Sequence, residues 1–166
     1  MTPRDEINGA EVSCDSTHPK QKYNAMQRLT WNDVEVLTKA LADAVDATNI
    51  EIDHIVAVSR GGFVPARLLA SKLKVRRLGS IGVRYADASR ITPEIYAPAG
   101  GLRPSDKVLL VEDAIETGRS LMYAATVIAA QVSVLKTAAY YRQPTSVPSL
   151  DFVVEERSQL PQFPWE

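Results

Sequence analysis

The sequence predicts an α/β domain, a mainly parallel, twisted sheet flanked by helices. Three observations carry this. Short apolar runs rich in β-branched residues alternate with segments whose apolar residues recur at helical spacing, the pattern of strands joined by right-handed helical crossovers. Two of these runs lead through glycine-containing loops directly into helical patterns, at Ser59-Arg60-Gly61-Gly62 and at Thr117-Gly118-Arg119-Ser120. The length, 166 residues with 45% hydrophobic content, suits one domain with a proper core.

Residues 1 to 25 are polar and mixed in charge, without periodicity, and are expected to form a flexible arm ahead of a domain spanning 26 to 166. Cys14 and His18 fall in this arm, where no second ligand pair has usable metal spacing. Thr30-Trp31-Asn32-Asp33 has the form of a helix start, with Thr30 as N-cap and Asp33 three residues on. Val34, Leu37, Leu41 and Ala44 continue that helix, and Trp31 is expected in the core. Ile52 to Val58 reads as the first strand, with His54 a structural residue near its start. Val64, Leu68, Leu69 and Leu73 mark a second helix that tolerates Pro65 in its first turn.

Val75 to Val83 contains a strand ending at Arg84-Tyr85. Ala86 to Pro104 is polar and broken by Pro93, Pro98, Gly100, Gly101 and Pro104, a long connection for such a domain. It reads as a flexible loop over the carboxyl end of the sheet, with a solvated excursion or a β-hairpin as the structural alternatives. Val108 to Val111 is the next strand, followed by a loop carrying Glu112 and Asp113. Leu121, Ala124, Ala125 and Ile128 give a third helix. Val132 to Tyr141 is a strand ended by Arg142-Gln143-Pro144, and Phe152 to Val154 is a last short strand. Pro161 and Pro164 keep the tail, Glu155 to Glu166, from being helical.

Bulk properties exclude several classes of function. A net charge of −1 offers no basic field for nucleic acid. No apolar run approaches the roughly 20 residues that span a bilayer. The N-terminal residues lack the apolar core of a secretory signal, and one cysteine cannot form an internal disulfide. These features lead to the expectation of a cytoplasmic protein.

Two candidate anion sites lie at the carboxyl end of the sheet. At the first, adjacent glycines let the backbone approach an anion, the following helix start offers N–H groups, and Arg60 adds a planar, phosphate-matching fork. At the second, the Thr117 and Ser120 hydroxyls join the N–H groups of a helix start. Between them stand Glu112 and Asp113, which would repel an anion unless they accept hydrogen bonds from a sugar diol or help to hold Mg²⁺ through its waters. A ligand with a phosphate at one end, a sugar in the middle and a diphosphate at the other satisfies every group. Read structurally, the glycines serve an ordinary βα turn and the acids end a strand.

The stretch VLLVEDAIETGRS, Val108 to Ser120, resembles the phosphoribosyl-pyrophosphate signature of the type I phosphoribosyltransferases. AVSRGGFVPARLLASKL, Ala57 to Leu73, resembles their pyrophosphate loop and the helix after it. DFVVEERSQLPQFPWE, Asp151 to Glu166, is similar to the short C-terminal hood of the xanthine–guanine and hypoxanthine subgroup. The resemblance implies transfer of the 5-phosphoribosyl group from phosphoribosyl pyrophosphate to a 6-oxopurine (hypoxanthine, guanine or xanthine), yielding a nucleoside monophosphate and pyrophosphate. It implies that Ser59, Arg60 and Gly61 bind pyrophosphate, with a non-proline cis peptide before Arg60. Glu112 and Asp113 would hold the ribose hydroxyls, and Glu116, Thr117, Gly118, Arg119 and Ser120 would cradle the 5′-phosphate. Arg84, Tyr85 and the loop after them would close over the reaction centre, which makes Glu116, Arg60 and Tyr85 the catalytic candidates. Arg142 would approach the exocyclic oxygen of the base, with Leu160 and Pro161 flanking its ring. Mg²⁺ would be met by Glu112, Asp113 and Glu166. A homodimer or higher homo-oligomer is the implied assembly.

Three positions depart from the family's pattern. Glu116 stands where the family has Asp, moving the carboxylate by about one methylene. Arg142 replaces Lys, and a planar fork is not a point charge. Leu160-Pro161 replaces a Trp and a β-branched residue, which removes an aromatic stacking partner for the base. The sugar-phosphate half of the pattern is kept and the base half is not. Two other outcomes therefore stay open, a non-catalytic sensor of phosphoribosyl pyrophosphate or a nucleotide on the same fold, and the same transfer to a different nitrogen heterocycle.

Overall fold

Thr30 begins the first helix in the way its sequence requires. Its hydroxyl accepts the Asp33 N–H at 3.2 Å while the Asp33 carboxylate accepts the Thr30 N–H at 2.8 Å, closing a capping box. The computed structural model describes residues 27–86, 91–147 and 149–166. Helix α1 runs Trp31–Asp46, α2 Phe63–Lys72 and α3 Arg119–Ala129. The strands are β1 His54–Ser59, β2 Arg77–Tyr85, β3 Pro93–Ala97, β4 Lys107–Ile115, β5 Val134–Arg142 and β6 Phe152–Glu156. They form one sheet in the order β3-β2-β1-β4-β5-β6, parallel throughout except for antiparallel β3 on the edge. The expected mainly parallel sheet is the observed one.

Alternation along the central strands divides the core in two. Ile55 and Ala57 of β1 and Leu109 and Val111 of β4 face the layer of α1 and α2. Val56, Val58, Val108 and Leu110 face the layer of α3. A sheet covered on both faces explains why these strands read as unbroken apolar runs. Tyr140 of β5 is fully buried on the α1 side, and its hydroxyl lies 2.6 Å from that of Thr38, which itself donates to Val34 O. Burial pushes the Tyr140 phenol up to about 12. The tail crosses the start of α1, where Leu29 N–H donates to Gln162 O and Gln162 N–H to Gln27 O.

The structure corrects several sequence expectations. Strand β4 continues through Glu112 and Asp113 to Ile115 because β5 runs beside it that far, pairing Glu112 with Ala139 and Ala114 with Tyr141. The acids are strand residues, not loop residues. The 86–104 connection is not one open loop, since Pro93–Ala97 folds back on β2 as a hairpin strand; residues 87–90 lie outside the described residues. Trp31 is 59% exposed rather than in the core, because the first helical position faces the tail, where its ring meets that of Trp165. The expected arm, with Cys14 and His18, lies outside the described residues.

His54 is a buried strand-start residue at the opposite end of β1 from Ser59. Its Nδ1 sits 4.0 Å from Asp106, whose carboxylate instead takes the Arg77 guanidinium at 2.6 and 2.9 Å. Burial, and then the Arg77 charge, hold the imidazole below its usual range. No helix among the described residues is long and apolar enough to cross a membrane.

Gly62 is where α2 meets the sheet. A Cβ there would lie 2.2 Å from Val111 O and 2.8 Å from Val58 O, both rigid strand atoms. Gly62→Ala should cost about 3 kcal/mol, lowering Tm by on the order of 10 °C, whereas Gly100→Ala, with nothing within 4 Å of its Cβ, should leave Tm unchanged in the same thermal melt.

Candidate active site

The strand order reverses at β1, which has β2 on one side and β4 on the other. The crevice at the carboxyl ends of β1 and β4 is therefore the place where this topology receives ligands. A cavity of about 1080 Å³ opens there. Arg60, Gly61, Phe63 and Val64 line it from the β1–α2 junction, and Glu112 through Leu121 from the β4–α3 junction. Tyr85 closes one side, and Leu160, Trp165 and Glu166 reach in from the tail.

The two acids sit side by side where β4 ends. Burial pushes the Glu112 carboxyl well above its usual range, the Asp113 charge adds to this, and the Asp113 and Gly62 N–H groups pull against it. Asp113 is also raised by burial, against hydrogen bonds from Trp165 and from the Ala114 N–H. Its Oδ1 accepts Ala114 N–H at 2.7 Å and its Oδ2 accepts the Trp165 indole N–H at 3.1 Å. Gly61 has its place because of this carboxylate, since a Cβ there would lie 2.5 Å from Asp113 Oδ1. The peptide bond between Ser59 and Arg60 is cis, as the resemblance implied.

The second junction depends on Gly118. Its φ of 84° lies in the left-handed region, and a Cβ would meet Val147 O at 2.1 Å, so no side chain is accommodated. From Gly118 the chain turns into α3, presenting the first N–H groups of that helix and the Ser120 hydroxyl to the cavity. The Tyr85 hydroxyl lies 2.9 Å from Ser120 Oγ, linking the end of β2 to this loop. Alternation along β2 sends the neighbouring Arg84 elsewhere, to an ion pair with Glu94 of β3.

Of the residues singled out in the sequence, the cavity gathers Arg60, Gly61, Tyr85, Glu112, Asp113, Glu116, Thr117, Gly118, Arg119, Ser120, Leu160 and Glu166. Ser59, Arg142 and Pro161 are not part of its lining. Ser59 Oγ turns to the sheet, 3.3 Å from Ile81 O and 3.2 Å from Tyr96 Oη. Arg142 ends β5 and is held by Glu156 of β6. Pro161 is buried in the tail. Sequence reasoning passed over Phe63 and Trp165. For Trp165 the available signal was Pro164, which favours a turn that swings the next residue back to the sheet.

The donor set fits a hard cation brought in with a phosphate ligand. Neither half-buried acid forms an ion pair with a lysine or arginine among the described residues. No cluster of three or more His, Cys, Asp or Glu side chains suited to a metal exists among them either. One or two carboxylates, with the remaining positions filled by phosphate oxygens and water, is the usual arrangement for Mg²⁺.

An acid raised by burial stabilises the fold in its protonated form, and that contribution is lost as pH rises above the ordinary glutamate range. Glu112→Gln keeps the shape and removes the charge. In the ligand-free protein its Tm should exceed that of the parent, by about 2–4 °C for each kcal/mol relieved, and the gap should widen from pH 5 to pH 8.

Comparison with known proteins agrees with this geometry. The family model described as "Phosphoribosyl transferase domain" matches residues 30–165. A xanthine-guanine phosphoribosyltransferase of Desulfotalea psychrophila is 27% identical over 147 residues, covering 87% of this chain and 89% of that protein. The crystal structure of a purine phosphoribosyltransferase from Pyrococcus horikoshii superposes with a TM-score of 0.77 at 27% identity, covering 84% of this chain and 93% of that one. A Helicobacter pylori xanthine-guanine-hypoxanthine phosphoribosyltransferase shares the fold, with a TM-score of 0.75 at 17% identity over 84% and 92% of the two chains. With four-fifths of the chain matched, the two anion loops on one crevice and the acid pair between them, the chain belongs to the phosphoribosyl transferase domain family.

Proposed function

We propose that the chain transfers a 5-phosphoribosyl group from phosphoribosyl pyrophosphate to a 6-oxopurine base, with Mg²⁺ bound alongside the pyrophosphate. The observation that carries this reading is one cavity in which two glycine-bearing loops flank a pair of half-buried acids that form no ion pair with a lysine or arginine among the described residues. The Desulfotalea and Pyrococcus relatives, named for xanthine–guanine and purine transfer, support a purine acceptor.

The base attacks the anomeric carbon through a ring nitrogen. A carbon–nitrogen bond forms, the bond from that carbon to the pyrophosphate oxygen breaks, the electron pair leaves with pyrophosphate and the nitrogen gives up its proton. Asp113 and Glu112 accept hydrogen bonds from the ribose hydroxyls. The α3 start, with Thr117 and Ser120, holds the 5′-phosphate. Arg60, which makes no side-chain hydrogen bond or ion pair with the described residues, meets the departing pyrophosphate and offsets its charge. Tyr85, bonded to Ser120, closes the site on the β2 side. Glu112 and Asp113, with Glu166 near, would hold Mg²⁺, which when bound would supply charge neutralisation for the leaving group. Glu116 sits on the cavity wall next to the phosphate loop. A cytoplasmic homodimer is part of this proposal.

One observation favours a second acceptor class. Arg142 is engaged by Glu156 and lies outside the cavity lining, so the group expected to read the exocyclic oxygen of a purine is turned to another task. A different nitrogen heterocycle then becomes the acceptor.

A panel of hypoxanthine, guanine, xanthine, adenine and uracil, each with phosphoribosyl pyrophosphate and Mg²⁺, separates these readings. Pyrophosphate release with a 6-oxopurine is the expected result. Release with another base alone selects the second acceptor, and binding without release from any base points to a sensor. Asp113→Asn should weaken phosphoribosyl-pyrophosphate binding by about tenfold or more in calorimetric titration, and unchanged affinity removes Asp113 from the sugar site.

A further inference from the structure

We propose that Trp165 is a positioning residue for sugar binding: its indole N–H fixes the Asp113 carboxylate, so that correct seating of the tail becomes a condition for holding the ribose. This rests on the reading of Asp113 as the acceptor of ribose hydroxyls.

The Phe163-Pro164-Trp165-Glu166 segment is a turn with proline at its second position. The Glu166 N–H donates to Phe163 O at 3.3 Å, and the Glu166 carboxylate accepts the Phe163 N–H at 3.0 Å. Phe163 is buried beside Tyr140 and Tyr141, at ring distances of 6.3 and 6.0 Å, and anchors the turn in the α1 side of the core. Trp165 stacks on Phe163 at 4.6 Å and 17° and touches Trp31 of α1 at 5.9 Å. With Phe163 against one face of the indole, it is the ring edge that meets the site, and its N–H lies 3.1 Å from Asp113 Oδ2.

The effect on Asp113 is specific. The terminal torsion of an aspartate is broad when left alone. Here Ala114 N–H fixes one oxygen and Trp165 the other. With the Glu112 side chain as a further hydrogen-bond partner, the acceptor position that remains on this carboxylate points in a set direction, the complement of a sugar hydroxyl. A phenylalanine keeps a ring against Phe163 but is smaller than the indole, whereas 3-benzothienylalanine keeps the bicyclic shape and lacks only the N–H. Only the indole nitrogen serves Asp113.

The test uses the full chain and calorimetric titration of phosphoribosyl pyrophosphate with Mg²⁺. Trp165→Phe should weaken binding about tenfold, with Tm within about 2 °C of the parent. KM for phosphoribosyl pyrophosphate should rise by the same factor while kcat at saturation stays within about twofold. In an Asp113→Ala background Trp165→Phe should change affinity by less than about twofold, since the bond it breaks is already gone. A folded Trp165→Phe protein with parental affinity, or an equal loss in both backgrounds, overturns the proposal. If Trp165→Phe does not fold, 3-benzothienylalanine at the sole tryptophan of Trp31→Phe replaces the N–H by sulfur in the same shape. The same weakening relative to Trp31→Phe supports the proposal, and no change overturns it. A parent protein that binds no phosphoribosyl pyrophosphate overturns the functional reading itself, a result distinct from parental binding that Trp165→Phe leaves unaltered.

Discussion

The placing of Glu112 and Asp113 side by side, half-buried and without an ion-pair partner among the described residues, is the constraint on which the site is built. Desolvation is the largest influence on both carboxyls, and the charge of Asp113 on Glu112 and of Glu166 on Asp113 adds to its cost. What opposes that cost comes from separate parts of the chain. Backbone N–H groups of β4 and the β1–α2 junction reach the acids from one side, and the tail contributes Trp165 from the other. Gly61 gives the room, since any side chain there would overlap the Asp113 carboxylate. The first anion loop and the acid pair are thus one packing unit. A change at Gly61 is a change at Asp113.

The same economy of space governs both helix starts. Gly62 is pressed on the carbonyls of Val58 and Val111, and Gly118 on that of Val147. These contacts set how closely the α2 start lies on the strands beneath it and the α3 start on the loop after β5, and so the width of the crevice. At the rim the structure is held by charge pairs instead: Arg84 with Glu94 and Arg142 with Glu156 across neighbouring strands, and Arg157 with the nearby Glu155. Exposed pairs of this kind contribute little each and rearrange at low cost. The two helix starts are therefore fixed by packing, while the ends of β2, β5 and β6 are tied by replaceable charges.

Much of this was legible in the sequence, for identifiable reasons. The strands stood out because a sheet covered on both faces writes continuous apolar runs, and the capping box at Thr30 fixed the start of α1. The phosphate loops were visible because glycine, hydroxyl and arginine fall within a few residues of one another. What escaped was set by partners distant in sequence. The length of β4 is decided by β5, which continues beside it past the apolar run. Trp31 looks like a core residue by type, yet its neighbour is Trp165, at the far end of the chain. Arg142 looks like a base-reading cation until Glu156 is placed on the adjoining strand. The hairpin strand β3, one of the alternatives left open for the 86–104 segment, contains Pro93 and Glu94, which argue against a strand locally, and it forms because the edge of β2 is open to pairing.

The uncompensated acid pair also bears on how long the protein survives in a cell. A folded chain that holds two neighbouring, half-buried carboxylates in one crevice gains stability from whatever cationic or hydroxyl-rich ligand neutralises or solvates them. Such a ligand favours the native state by RT ln(1 + [L]/Kd), about 2.7 kcal/mol at a hundredfold excess over Kd. Proteases act on the opened chain, so a difference of that size changes steady-state abundance several-fold. On the proposed reading of Glu112 and Asp113, the supply of phosphoribosyl pyrophosphate would bear on the amount of protein as well as on its turnover.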